Sequence, residues 1–299
     1  MKEGKSSHTA EAMAICRFVE SRKPEHERVC YDPLARHLMS TRSRIITKSP
    51  TLGKIVRWFI IDRRFPGIPV LTMGYIAVRT RYIDDYLEEC IGNGIRQLVI
   101  LGAGYDSRAY RIEGLKGKVK VFEVDHPVTQ KVKIKRLEGL LGSLPDHVVY
   151  VSVDFSKERL DGRLFESGYD RNSKTCFIWE GVTPYISAEA VDETLAFVVN
   201  NSGEGSSIIF DYIYQSVLDG TSEMEESRRF REYVARVGEP WTFGIEEGAI
   251  DEFLSERGYW QINNATPEFL ESTYFKGVNQ GRKVTPFQPI VHASVKPRG

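Results

Sequence analysis

Five times along this chain a short apolar run ends in glycine or an acid and gives way to a segment of helical length. The runs are Leu98–Leu101, Val119–Val124, HVVYVSVDF from His147, KTCFIWEGV from Lys174 and SSIIFDYIY from Ser206. Short, nearly continuous apolar runs bounded by turn signals fit strands that are covered on both faces. Between them, residues 127–142, 156–167 and 187–200 read as helices. Pro127 suits a first helical turn, and Ser187 is an N-cap. Strand and helix in alternation predict an α/β fold with a doubly wound, mostly parallel sheet. Near the end, Gly258 closes a helix over 246–257. Two β segments, near 259–264 and 287–295, then flank a Gly/Lys/Asn-rich turn and predict a terminal antiparallel pair, making seven strands.

The chain before the first strand is helical in pattern. Residues 8–22 carry Ala12, Ile15 and Val19 at helical spacing, with Thr9 as a cap and Glu11 in the first turn. Asp32-Pro33 opens a short helix in VCYDPLARHLM, and residues 51–73 read as a helix followed by a turn at Pro66–Pro69. A long helix runs from about Met73 to Cys90, its buried stripe marked by Ile76, Tyr82, Ile83, Tyr86 and Leu87. Arg79 and Arg81 stand about 200° apart on such a helix, so only one faces inward. Arg79 is three residues from Ile76 and Tyr82 and four from Ile83, on the stripe. One domain of residues 1–299 is expected: an N-terminal helical addition or lid (1–72), then a core (73–299) with a charged helical insertion near 218–240. In the helix at 127–142, Lys131, Lys133, Lys135 and Arg136 read as a wet face.

Composition narrows the partners. A formal net charge of zero provides no bulk field for nucleic acid or an acidic membrane surface. No apolar run approaches the roughly 20 residues that span a bilayer. The opening MKEGKSSHTAEAMA has no apolar core, so a cytoplasmic protein is expected. Cys16, Cys30, Cys90 and Cys176 are scattered, and the six histidines form no metal-ligand spacing, so no metal is expected.

The chemistry gathers where the strands end. Gly102-Ala103-Gly104 follows the first run, and Asp125 ends the second, about twenty residues on. In a parallel sheet the crevice outside these strand ends binds ligands, and an acid at the second tip can hold both hydroxyls of a ribose. The dinucleotide fingerprint asks for a third glycine, but Ser107 stands there and Asp106 lies where a pyrophosphate would sit. That weighs against NAD and favours a cationic cofactor; S-adenosylmethionine, with its sulfonium and ammonium, fits. Asp154 with Phe155 suits an adenine, accepting from its exocyclic amine and packing on its ring. Glu180, in mid-crevice, can pair with an ammonium.

The succession GYIAVRTRYID, LGAGYDSR, FEVDHP, VDF and WEGVTPYI resembles the leucine carboxyl methyltransferase family. More closely, it resembles the microbial branch of S-adenosylmethionine-dependent methyltransferases often assigned to polyketide clusters. The resemblance covers nearly the whole chain, and FEVDHP followed by WEGVTPY is its most specific part. It implies a Rossmann-like class I methyltransferase fold and the cofactor S-adenosylmethionine. Residue by residue, it implies a glycine motif at Gly102 and Gly104 and a ribose acid at Asp125. It implies an adenine contact at Asp154 and Phe155, a fourth-strand acid at Glu180, and a carboxylate-binding arginine at Arg79, with Arg81 as the alternative. The protein substrate of leucine carboxyl methyltransferase itself is not carried over, because the match outside these motifs is weaker.

Methyl transfer from a sulfonium is an in-line displacement, in which the enzyme chiefly aligns donor and acceptor. A carboxylate acceptor is already ionised at neutral pH, whereas a phenol or alcohol needs a base. His126 borders the cofactor site rather than acting as that base. Tyr185, Tyr212 and Tyr214, just past the fourth and fifth strands, are candidates to line a substrate pocket. The expectation is an O-methyltransferase acting on a small molecule, with carboxylate the favoured acceptor. An NAD(P)-dependent oxidoreductase and a cofactor-binding protein without catalysis are the alternatives.

Overall fold

A computed structural model describes residues 8–48, 68–153, 158, 160–238 and 240–297. Its centre is a seven-stranded sheet: β1 (Gln97–Leu101), β2 (Lys120–Asp125), β3 (Val148–Ser152), β4 (Thr175–Trp179), β5 (Ser207–Asp211), β6 (Tyr259–Ala265) and β7 (Ile290–Val295). The strand order is β3-β2-β1-β4-β5-β7-β6. β1 to β5 run parallel, and β7 pairs antiparallel with both β5 and β6. The order reverses between β1 and β4, which opens a crevice at their carboxyl ends.

Alternation along the strands divides the core between the two faces. Leu98, Ile100, Cys176, Ile178 and Ile209 pack on one side, under α1 (His8–Ser21) and α4 (Ile68–Gly92). Val99, Leu101, Phe177, Trp179 and Phe210 pack on the other, under α8 (Ala188–Asn200) and α11 (Ile250–Glu256). The apolar runs are nearly continuous because each strand must satisfy both layers. Every residue of β1, β4 and β5 is buried.

The helices begin and end where local chemistry allows. The Ser187 side chain accepts from the Ala190 N–H at the start of α8. Pro127 stands in the first turn of α6 (Pro127–Leu141), capped by the His126 side chain. Asp32 Oδ1 accepts from the N–H groups of Leu34 and Ala35 and so opens α2 (Ala35–Leu38).

Several boundaries differ from expectation. α1 already includes His8, so Thr9 lies inside it rather than capping it. α4 starts at Ile68, before the expected boundary at Met73, and is buried nearly all round from Gly74 to Thr80. A further helix, α3, covers Thr41–Lys48. The crossover after β1 holds only α5 (Arg108–Arg111) and a 3-10 turn at Glu113–Leu115. The charged segment near 218–240 is two helices, α9 (Gln215–Asp219) and α10 (Glu225–Val237), because Gly220 takes a left-handed φ of 78°. Between β6 and β7 the chain forms α12 (Pro267–Tyr274), where a turn was expected. The expected helix at 51–73 falls largely outside the described residues, as does the start of the one at 156–167, whose described part is α7 (Leu160–Glu166).

Candidate active site

The rim of the crevice is built first from glycine and an acid. After β1 the backbone turns through Gly102 at φ 67° and Gly104 at φ 41°, conformations that side chains disfavour. A Cβ on Gly102 would stand 2.5 Å from Val182 Cγ2, so this loop also needs glycine to pack against the turn leaving β4. The Gly104 N–H donates to Asp125 Oδ2 at 2.6 Å, and the His126 N–H donates to Asp125 Oδ1 at 2.6 Å. Each carboxylate oxygen keeps further acceptor capacity, which is what two ribose hydroxyls require. Burial raises the Asp125 carboxyl above its ordinary value, against the pull of these N–H groups and the Lys133 charge.

A network of arginines and acids fills the middle of the crevice. Arg79, on α4, is only 4% exposed. Its Nη1 donates to Asp211 Oδ2 at 2.5 Å, and its Nε lies 3.0 Å from Glu180 Oε1. That second contact neutralises charge but is not aligned as a hydrogen bond, so Nε remains a buried donor without an aligned acceptor. Such a donor fits a ligand carboxylate.

Arg108, on α5, joins three acids: Nε donates to Asp84 Oδ1 at 2.7 Å, and Nη1 donates to Glu180 Oε2 at 2.6 Å and to Asp106 Oδ2. Arg111 meets the same Asp84 oxygen at 2.8 Å. Burial alone would raise the Glu180 carboxyl, but the Arg108 and Arg79 guanidiniums outweigh it and hold the group below its usual range. Asp106 is held low in the same way, by Arg108 first and Lys133 second, against its burial. The linked groups are three arginines and four carboxylates, so the network keeps an excess negative charge. That balance favours a cationic ligand.

Helix α1 lies against this rim. A Cβ on Gly104 would be 3.2 Å from the Ala10 Cβ. Met13 Sδ accepts from Arg79 Nη2 at 3.5 Å. Arg17 pairs with Asp32 at 2.8 Å, and its Nη2 donates to the Tyr105 carbonyl at 2.5 Å. The N-terminal segment is therefore tied to the glycine loop by one guanidinium.

The sequence-predicted positions divide clearly. Gly102, Gly104, Asp125, Glu180 and Arg79 come together at the carboxyl ends of β1, β2 and β4. Arg81 points away and pairs with Asp85 at 2.7 Å, its side chain 52% exposed. Asp154 and Phe155 lie outside the described residues. Tyr185 ends a 3-10 turn, Thr183–Tyr185, beside Glu180 and Gly181. Tyr212 is fully enclosed, and its hydroxyl donates to Asn264 Oδ1 at 3.3 Å; Tyr214 is buried edge-on beside it. Both rings sit in the core cluster. His126 Nδ1 accepts from the Val128 N–H, so its side chain serves as a helix cap.

Four members of the network were not foreseen. Asp211 obeys the same strand-tip rule as Asp125 and Glu180, but the tyrosines after it drew attention. Asp84, Arg108 and Arg111 gave no clear signal, since all of their ion-pair partners except Asp106 lie on other elements. Lys133 corrects an expectation: instead of facing water it is 1% exposed, 2.8 Å from Glu123 Oε1 and 3.5 Å from the Ala103 carbonyl, beneath the glycine loop. Arg136 likewise turns inward and donates to the Leu38 carbonyl.

With this geometry in view, the comparisons with known proteins agree. The model of the family described as leucine carboxyl methyltransferase matches residues 10–199. A Bacillus subtilis protein named "Putative S-adenosyl-L-methionine-dependent methyltransferase YktD" is 26% identical, across 99% of this chain and 100% of its own. A Mycobacterium avium protein named as the same kind of methyltransferase is 30% identical, across 88% of this chain and 91% of its own. The solved structure of a DUF574 family protein from Streptomyces avermitilis shares the fold, with TM-score 0.59, 15% identity and 99% of each chain covered. The family match spans well over half of the sequence and includes every strand-tip residue up to Glu180; the chain belongs to the leucine carboxyl methyltransferase family.

Proposed function

We propose that this methyltransferase uses S-adenosylmethionine to methylate an oxygen of a small molecule, and that the oxygen belongs to a carboxylate. The relatives from Bacillus subtilis and Mycobacterium avium carry this cofactor in their names. The rim residues fit it: acceptor capacity on Asp125 for a ribose, a donor on Arg79 for a carboxylate, and an acid-rich network for a cation. When bound, S-adenosylmethionine supplies a methyl group activated by its sulfonium. Asp125 and the glycine loop hold the nucleoside end; Arg79 and Glu180 hold the amino-acid end. The chain's task is then alignment and exclusion of water, with α1 as the cover on one side and the turn at Thr183–Tyr185, including Tyr185, on the acceptor side.

One observation carries the choice of carboxylate. Among the described residues, the rim groups that could take a proton are already committed: Glu180 and Asp106 to Arg108, Asp211 to Arg79, His126 to a helix cap, and Asp125 to the Gly104 and His126 N–H groups and the ribose it is read to hold. An acceptor that arrives ionised needs none of them. Incubating the protein with methyl-labelled S-adenosylmethionine and matched sets of small carboxylic acids and phenols tests this. Methyl esters release methanol in mild alkali, whereas aryl ethers do not. Label released as methanol supports the reading, and label retained as ether on the phenols overturns it.

A further inference from the structure

We propose that Asp211 is a positioning residue for methyl transfer, which holds the Arg79 guanidinium and the turn at Gly181–Tyr185 in one frame. Asp211 stands at the tip of β5, next to the strand that ends before Glu180, and is 1% exposed. Its carboxylate is divided between two sides of the crevice. Oδ2 accepts from Arg79 Nη1 at 2.5 Å and from the Tyr75 hydroxyl at 3.3 Å; Oδ1 accepts from the Gly181 N–H at 2.6 Å. The Asp211 carbonyl accepts from the Thr183 hydroxyl. One residue thus joins α4, β5 and the turn that leaves β4.

Neutralising Arg79 is only part of this arrangement: Asp211 shares that role with Glu180, which stands 3.0 Å from Arg79 Nε and is itself bonded to Arg108. What a second carboxylate adds is direction. An acid on the Nη1 edge and another on the Nε side fix the plane of the guanidinium. Gly181 lies against the Nη1/Nη2 end of that guanidinium, where a Cβ would stand 3.3 Å from Nη1 and 3.4 Å from Nη2. Asp211 bonds the Gly181 N–H itself, so it sets both the guanidinium and the backbone against which it lies. The carboxylate anchor for the cofactor and the acceptor side of the crevice thereby keep a constant separation, which an in-line displacement requires.

This inference rests on the reading of Arg79 as the carboxylate anchor, and the test separates the two. Wild-type protein is titrated with S-adenosylhomocysteine and with 5′-methylthioadenosine, which keeps the nucleoside and thioether but lacks the amino-acid end. The same titrations follow on Asp211→Asn, whose amide must turn a donor toward either Arg79 or Gly181. They also follow on Asp211→Glu, which keeps the charge but moves it by one methylene.

Positioning predicts that at least one folded variant loses about tenfold or more in affinity for S-adenosylhomocysteine, the scale of a hydrogen bond to a charged group. Its affinity for 5′-methylthioadenosine should stay within about twofold, because that ligand offers nothing for a charge-assisted pair. Equal losses for both ligands, or no loss for either in both variants, overturn the role of Asp211. A wild-type protein that binds the two ligands alike overturns the anchor reading, and this inference with it.

Discussion

The Gly104 N–H donates to Asp125 Oδ2 at 2.6 Å, so the loop after β1 and the tip of β2 form one rim. The bond orients the carboxylate before any ligand arrives, which lowers the cost of ordering it on binding. Asp125→Ala should therefore weaken S-adenosylhomocysteine binding by at least about 1.5–3 kcal/mol, the range for hydrogen bonds to a charged group. Calorimetry on a folded mutant checks this, and unchanged affinity would show that Asp125 is not the ribose ligand.

The two arginines of α4 should behave as opposites. Arg79→Ala removes the guanidinium that meets Glu180 and Asp211, and should lower affinity for S-adenosylhomocysteine by about tenfold or more through loss of a charge-assisted pair. Arg81→Ala removes a surface ion pair with Asp85, worth about 0–1 kcal/mol, and should leave affinity as it was. Parallel titrations decide; a crippled Arg81→Ala beside an intact Arg79→Ala contradicts the site.

Gly102→Ala tests the loop without touching a charge. It meets a φ of 67° and a methyl of Val182 at 2.5 Å. The strained backbone alone should cost about 1–3 kcal/mol, read as a lower urea midpoint. Adding Val182→Ala should recover the part due to the clash and leave the part due to φ. A Gly102→Ala protein as stable as wild type argues against the turn described.

Acid should loosen the crevice through Glu180. Its carboxyl lies below the ordinary value because Arg108 and Arg79 outweigh burial. The stability it contributes is therefore complete above the unfolded glutamate value of about 4.3 and is lost as pH falls through the lower folded value. Urea unfolding of wild type and Glu180→Gln between neutral pH and pH 3 checks the sign. The gap between the two should narrow as the acid limit is approached, and a gap that widens contradicts the pairing.

What could be read from the sequence was whatever depends on local periodicity. The five parallel strands follow from apolar runs that satisfy two faces at once, and the inward phase of Arg79 follows from its spacing to Ile76, Tyr82 and Ile83. What could not be read depends on partners elsewhere in the chain. Lys133 and Arg136 belong to a helix rich in basic residues, and only Glu123 on β2 and the Leu38 carbonyl turn them inward. Arg108 gathers Asp84, Asp106 and Glu180 from three parts of the sequence, a convergence no window reveals. α12 is a different miss: Thr266 caps it and Pro267 opens it, so the signal was local but hidden by the glycines that follow.

The central claim is that the crevice between β1 and β4 takes S-adenosylmethionine rather than a nicotinamide dinucleotide. The most direct measurement is a pair of calorimetric titrations of the purified protein, one with S-adenosylhomocysteine and one with NADH. The account predicts micromolar, saturable binding of S-adenosylhomocysteine and no heat with NADH. Heat with NADH and none with S-adenosylhomocysteine would contradict it.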